Sequence, residues 1–176
     1  MKKCCIIGHR QIKNIEVLKT KAKSVIMNLI INESVDTFLF GSKSDFDNFC
    51  YEIVSELIKI DKLNITRIKY ACNGELGFTT EEKEKYDKIV ANFFKNGLKD
   101  YEEVKRFQHL EKSGKASYIE RNKMLIDDAD ICLFYYEYKE VCEVNEHLLN
   151  RNSGTNIAYN YAISRNKKII NIATFK

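Results

Sequence analysis

The sequence predicts an α/β fold, a three-layer sandwich with a mostly parallel central sheet. Three observations carry this. Short apolar runs alternate with segments of helical period along almost the whole chain. The runs are continuously apolar, as suits strands covered on both faces, rather than alternating as in a sheet with one wet face. Two of the runs close directly on a glycine, which permits the sharp turn from strand into helix.

The first run, residues 3–7, ends at Gly8. Ile15, Leu18, Ala22, Val25, Ile26 and Leu29 then recur at helical spacing and predict an amphipathic helix over residues 13–31. Residues 36–40 form a second strand, closed by Gly41. Ser44 or Asp45 is placed to cap the next helix, whose apolar face is Phe49, Ile53, Leu57 and Ile58. Residues 65–71 are a third strand.

Thr79-Thr80-Glu81-Glu82 opens a further helix, with acids in its first turn, that continues through Tyr86, Ile89, Val90 and Phe93. A short strand is expected at 101–107, a helix at 117–127 and a strand at 131–135. Residues 136–151 are charged and are expected to be an inserted, partly helical surface segment. A helix at 155–164 and a strand at 168–172 complete the pattern.

The bulk numbers fit one globular domain spanning residues 1–176. The chain is 44% hydrophobic and 31% charged, with no proline and seven glycines, so no linker or low-complexity tract stands out. Its 29 basic and 25 acidic residues leave a net charge of +4, too mild to argue for nucleic-acid binding. No apolar stretch approaches the roughly 18–20 residues of a membrane span. The apolar run behind Met1-Lys2-Lys3 is too short for a signal core. A cytoplasmic location without membrane association is therefore expected. The six cysteines include no CxxC pair, so neither a zinc site nor a disulfide framework is supported. Reduced, buried thiols are expected, with Cys4, Cys5 and Cys132 inside core strands. No metal or cofactor is implied.

In an open α/β sheet, ligands bind beyond the carboxyl ends of the strands, so the turns there hold the candidate site. The first strand runs into Gly8-His9-Arg10, where arginine offers a planar fork of donors for phosphate or carboxylate. The second runs into Gly41-Ser42-Lys43-Ser44-Asp45-Phe46-Asp47, an anion-friendly helix start without the spacing of a Walker A loop. Asp45 and Asp47 also suit plain capping roles. Glu120-Arg121-Asn122 lie on the helix before the fifth strand, and Tyr135-Tyr136 end that strand, where a tyrosine can stack on a base or fill the core. Asn152-Ser153-Gly154-Thr155-Asn156 opens the last helix with bare N–H groups and a hydroxyl for a phosphate, or with Ser153 or Thr155 as an ordinary cap.

These pieces resemble the SLOG superfamily, a Rossmann-like group related to the cytokinin-activating LOG phosphoribohydrolases and the DNA-processing protein DprA. The resemblance rests on Cys4-Cys5-Ile6-Ile7-Gly8-His9-Arg10, the turn from Gly41 to Asp47, and Tyr118-Ile119-Glu120-Arg121-Asn122-Lys123-Met124. Asp128-Ala129-Asp130 and Ser153-Gly154-Thr155 with Ala158 to Ala162 follow in family order. Residues 73–115 match no motif. The resemblance implies a Rossmann-like fold and a nucleotide or nucleotide-derived ligand held between the glycine turns. It places the ligand on Gly8, His9, Arg10, Gly41, Ser42, Lys43, Asp47, Arg121, Asn122, Tyr136, Ser153, Gly154, Thr155 and Asn156.

The departures bear on catalysis. The LOG enzymes resemble Pro-Gly-Gly-x-Gly-Thr followed closely by acids; here Gly154-Thr155 is followed by Asn156, Ile157 and Ala158. The related nucleoside deoxyribosyltransferases place a nucleophilic glutamate on this helix, and the matching position is Ala158. Cleavage of an N-glycosidic bond passes through a cationic sugar that a carboxylate would stabilise or capture, and alanine does neither. The first reading is thus a non-catalytic sensor or sequestering protein for an ADP-ribose-like, cyclic or other signalling nucleotide; the resemblance also implies a phage-defence or anti-defence setting. The alternative is an N-glycoside hydrolase or transferase in which Glu120, Asp45 or Asp47 replaces the missing acid. Nucleic-acid binding, by analogy with DprA, is disfavoured by the mild charge. A homo-oligomer is expected, with residues 136–151 and the apolar helices as its surface.

Overall fold

The computed structural model describes residues 1–12, 14–41, 44–61, 63–72, 102–107, 114–137 and 153–173. In chain order the elements are β1 (Lys2–Gly8), α1 (Ile15–Ile31), β2 (Val35–Phe40), α2 (Asp45–Asp61), β3 (Thr66–Cys72), β4 (Glu102–Phe107), α3 (Gly114–Asp128), β5 (Ile131–Tyr135), α4 (Gly154–Ser164) and β6 (Lys168–Asn171). The helix expected from Thr79 and most of the expected 136–151 insertion lie outside the described residues.

Six strands form one sheet in the order β4-β3-β2-β1-β5-β6, and every pairing is parallel. The chain winds outward from β1 to β4, then returns to the other side of β1 for β5 and β6. The order therefore reverses between β1 and β5, and a crevice opens there at the carboxyl edge.

The central strands are buried on both faces. Cys4 and Ile6 of β1 pack with α1 and α2, while Cys5 and Ile7 pack with α3 and α4. β2 divides the same way, with Phe38 and Phe40 on one side and Leu39 on the other. On β5, Ile131 and Leu133 oppose Cys132 and Phe134. One layer is built from Leu18, Ala22, Ile26 and Leu29 of α1 with Phe46, Cys50, Ile53, Val54 and Leu57 of α2. The other rests on Leu125, Ile126, Ala158 and Ala162. This is the expected Rossmann-like three-layer sandwich.

The outer strands depart from the expectation of continuous apolarity. β3 carries Arg67 and Lys69, whose cationic groups lie 4.9 and 4.1 Å from the Tyr51 ring centroid on α2. Arg67 also donates to the Ser55 hydroxyl. Here α2 offers an aromatic face and a hydroxyl, so basic side chains are accommodated beneath it. β4 reads Glu-Glu-Val-Lys-Arg-Phe and, among the described residues, is the last strand on its side of the sheet.

Cys4, Cys5, Cys50 and Cys132 are buried free thiols, as expected of core cysteines. Burial first, and then the nearby negative charge of Asp47, pushes the Cys50 thiol well up. No helix among the described residues is long and apolar enough to cross a membrane.

Candidate functional site

Three turns meet at the carboxyl edge of the sheet. The turn after β1 is pinned on both sides: His9 N–H donates to the Tyr135 carbonyl at 3.3 Å, and the Arg10 carbonyl accepts from Asp45 N–H at 3.3 Å. α2 begins just past β2. Its cap is Ser44, whose hydroxyl accepts from Asp47 N–H at 2.9 Å. α4 begins with Ser153, whose hydroxyl accepts from Asn156 N–H at 3.0 Å. The N–H groups of Gly154 and Thr155, in the same first turn, have no acceptor within the helix by its geometry.

A cavity of about 570 Å³ lies between these turns, lined by Gly8, His9, Arg10, Ser44, Tyr118, Arg121, Asn122, Ser153, Gly154 and Thr155. That volume suits a small ligand. It sits where the strand order reverses.

Gly8 and Gly41 are required by close packing, whereas a Cβ on Gly154 would meet nothing within 4 Å. A Cβ on Gly8 would stand 2.5 Å from the Phe46 Cβ, so β1 could not pass α2 with any other residue there. A Cβ on Gly41 would stand 2.6 Å from Asp47 Oδ2 and 3.1 Å from Arg121 Cζ and Nη2. Both charged groups thus converge on Gly41, and both are buried, Asp47 at 4% and Arg121 at 5% exposure. An opposite charge this near offsets much of the cost of burying the guanidinium. Arg121 Nη2 also donates to Asn122 Oδ1 at 3.2 Å.

Tyr118 joins the two arginines. Its ring centroid lies 5.8 Å from the Arg10 guanidinium carbon and 5.5 Å from that of Arg121. Tyr118 and Arg121 are three residues apart on α3, which puts them on one helix face. Arg10 reaches the ring from the turn after β1. Arg121 is buried and Arg10 exposed, so one guanidinium is fixed and the other adaptable.

The structure brings eight of the expected ligand residues to this cavity: Gly8, His9, Arg10, Arg121, Asn122, Ser153, Gly154 and Thr155. Ser42 and Lys43 lie outside the described residues. Gly41 and Asp47 stand next to Arg121 without lining the cavity, so Asp47 acts on the site through Arg121. Tyr136 is a core residue whose hydroxyl donates to Asn156 Oδ1 at 2.9 Å, and Asn160 donates to the same oxygen at 3.1 Å. These bonds hold the buried Tyr136 against α4, and neither Tyr136 nor Asn156 lines the cavity.

Two further assignments change. The Thr155 hydroxyl donates to the Gly8 carbonyl at 3.1 Å, so its proton ties α4 to β1 instead of pointing at a ligand. Glu120 is exposed and stands 3.5 Å from Lys123 Nζ, outside the cavity, as expected one position away from the buried Arg121 face. His9 holds the opposite rim: Nε2 accepts from Glu137 N–H at 3.1 Å, which fixes that nitrogen as an acceptor. Sequence reasoning missed Tyr118 as a lining residue and gave Ser44 only a capping role. The signal for Tyr118 was its spacing of three from Arg121.

Among the described residues the lining contains two guanidiniums and no carboxylate. The lining therefore presents positive charge to the cavity. Neither a protein-family model nor a curated protein sequence matches this chain.

Proposed function

We propose that this chain is a SLOG-type protein that binds a nucleotide or nucleotide-derived ligand, holding it as a sensor or sequestering protein rather than cleaving it. The observation that carries this reading is the convergence of Arg10, Arg121, Tyr118 and the first turn of α4 on one cavity at the topological switch point. Guanidiniums and helix N–H groups recognise phosphate, and a Rossmann-like sheet presents them at this edge. Holding is favoured over cleavage because, among the described residues, none of the candidate acids Glu120, Asp45 and Asp47 lines the cavity, and Ala158 occupies the core side of α4.

The test is a thermal-shift screen against nucleoside mono-, di- and cyclic phosphates and ADP-ribose. A ligand at a hundred times its Kd stabilises the native state by about 2.7 kcal/mol, which raises the Tm of a domain this size by about 5–10 °C. Arg10→Ala is expected to remove the shift while leaving the unliganded Tm nearly unchanged, because Arg10 is exposed. No shift with any member of the panel contradicts the reading. Release of free base from a nucleoside monophosphate contradicts its non-catalytic part.

A further inference from the structure

The charges around the cavity bear on which nucleotides it takes. Arg10 contributes a full positive charge. The first turn of α4 contributes roughly half a charge more. Arg121 adds to these whatever Asp47 leaves uncompensated. Even with Arg121 wholly balanced by Asp47, the positive charge facing the cavity exceeds one. Any part of the Arg121 charge that Asp47 leaves uncompensated raises the total above roughly one and a half, and a dianion then balances it better than a monoanion.

The cations are also grouped. Arg10 and Arg121 both rest on Tyr118, at 5.8 and 5.5 Å from its ring centroid. Two like charges beside one cavity repel each other, and the negative face of an aromatic ring offsets part of that cost. Tyr118 lines the cavity and sits on the same α3 face as Arg121. Removing the ring frees the exposed Arg10 to swing into solvent.

We propose that the cavity selects ligands carrying two negative charges at the phosphate end, such as a 5′-phosphomonoester dianion or a diphosphate, against singly charged cyclic phosphodiesters, and that Tyr118 is the positioning residue that holds Arg10 and Arg121 for this task. The inference rests on the nucleotide-binding reading and narrows it.

The test is titration calorimetry with three adenosine ligands: the 5′-monophosphate, the 3′,5′-cyclic monophosphate and ADP-ribose. At pH 7.5 the first and third are expected to bind at least tenfold more tightly than the second. Between pH 7.5 and 5.5 the monophosphate is expected to weaken several-fold, because its second ionisation falls near pH 6. ADP-ribose keeps both charges throughout that range and serves as the control for the imidazole of His9, which lines the same cavity. The other ionisable side chains facing the cavity are those of Arg10, Tyr118 and Arg121, and Asp47 stands beside Arg121.

Tyr118→Phe keeps the ring and is expected to preserve the preference for two charges. Tyr118→Leu is expected to collapse it to less than threefold, whereas a purely structural role would weaken all three ligands equally. Equal affinity for the cyclic and 5′-phosphates, or an unchanged preference in Tyr118→Leu, overturns the inference while leaving nucleotide binding intact. Failure of all three ligands to bind, with none found in the wider panel, overturns the nucleotide-binding reading itself.

Discussion

The two edges of the sheet handle charge in opposite ways. At the amino edge, Glu33 stands between two lysines, 2.9 Å from Lys2 Nζ and 2.6 Å from Lys168 Nζ. Asp130 Oδ2 accepts from Lys3 N–H at 2.8 Å, and Lys3 returns its carbonyl to Asp130 N–H at 2.9 Å. Charges there meet opposite charges across strand starts and tie β1, β5, β6 and the loop before β2 together. At the carboxyl edge, Arg10 and Arg121 share an aromatic ring beside a cavity. The first arrangement is complete within the chain. The second sets two cations beside a cavity, with Asp47 next to Arg121. This contrast, more than any single motif, separates the edge that ties the strand starts together from the edge that carries the candidate site.

The contrast has consequences that differ in size. The largest is expected at Gly8. Gly8→Ala forces a methyl group into the buried Phe46 side chain and is expected to cost about 1–3 kcal/mol or more, read as a fall in the urea midpoint. Because Gly8 lines the cavity, binding should fall as well. Gly41→Ala comes next. Its Cβ meets Asp47 and Arg121, so it is expected to displace the guanidinium and weaken nucleotide binding at least tenfold, with a smaller loss of stability. Thr155→Val removes the bond to the Gly8 carbonyl at nearly constant volume. It is expected to cost about 1 kcal/mol, measured by denaturant unfolding. If Thr155→Val abolished binding with no loss of stability, the hydroxyl would belong to the ligand and not to the clamp.

The smallest effect lies at the opposite edge. Hydrogen bonds from Lys168 and Lys2 lower the Glu33 carboxyl from its ordinary 4.5 to about 2. A carboxyl lowered on folding stabilises the native state fully above its unfolded pKa and loses that contribution as pH falls toward its folded one. Glu33→Gln is therefore expected to lower the Tm slightly at neutral pH. The gap to the unmodified chain should close as pH drops from 4.5 toward 2. Nucleotide affinity should not change, since Glu33 and the cavity are at opposite ends of the strands. A loss of affinity in Glu33→Gln would break the division between the edges.

Much of the fold was legible in the sequence because the central strands obey one rule. Cys4 to Ile7, Phe38 to Phe40 and Ile131 to Phe134 are apolar at every position since helices cover both faces. β3 obeys a different rule. Towards the sheet edge, polar side chains reach solvent or an aromatic partner, so Arg67 and Lys69 interrupt the pattern.

The site was legible as a set of turns, because strand ends on a parallel sheet are where ligands bind. Side-chain direction was not. Nothing in the local sequence says that Thr155 bonds backward to Gly8 or that Tyr136 turns to Asn156. Those outcomes depend on partners 147 and 20 residues distant. Tyr118 is the exception, since helical spacing alone sets it beside Arg121.

The most direct test of the account is an NMR titration of the nitrogen-15-labelled protein with the nucleotide that stabilises it most. The account predicts that the largest amide shifts fall at Gly8, His9, Arg10, Gly154 and Thr155. Resonances of Lys3, Glu33, Asp130 and Lys168 at the amino edge should stay in place. Shifts concentrated at the amino edge, or spread evenly over the surface, would contradict it.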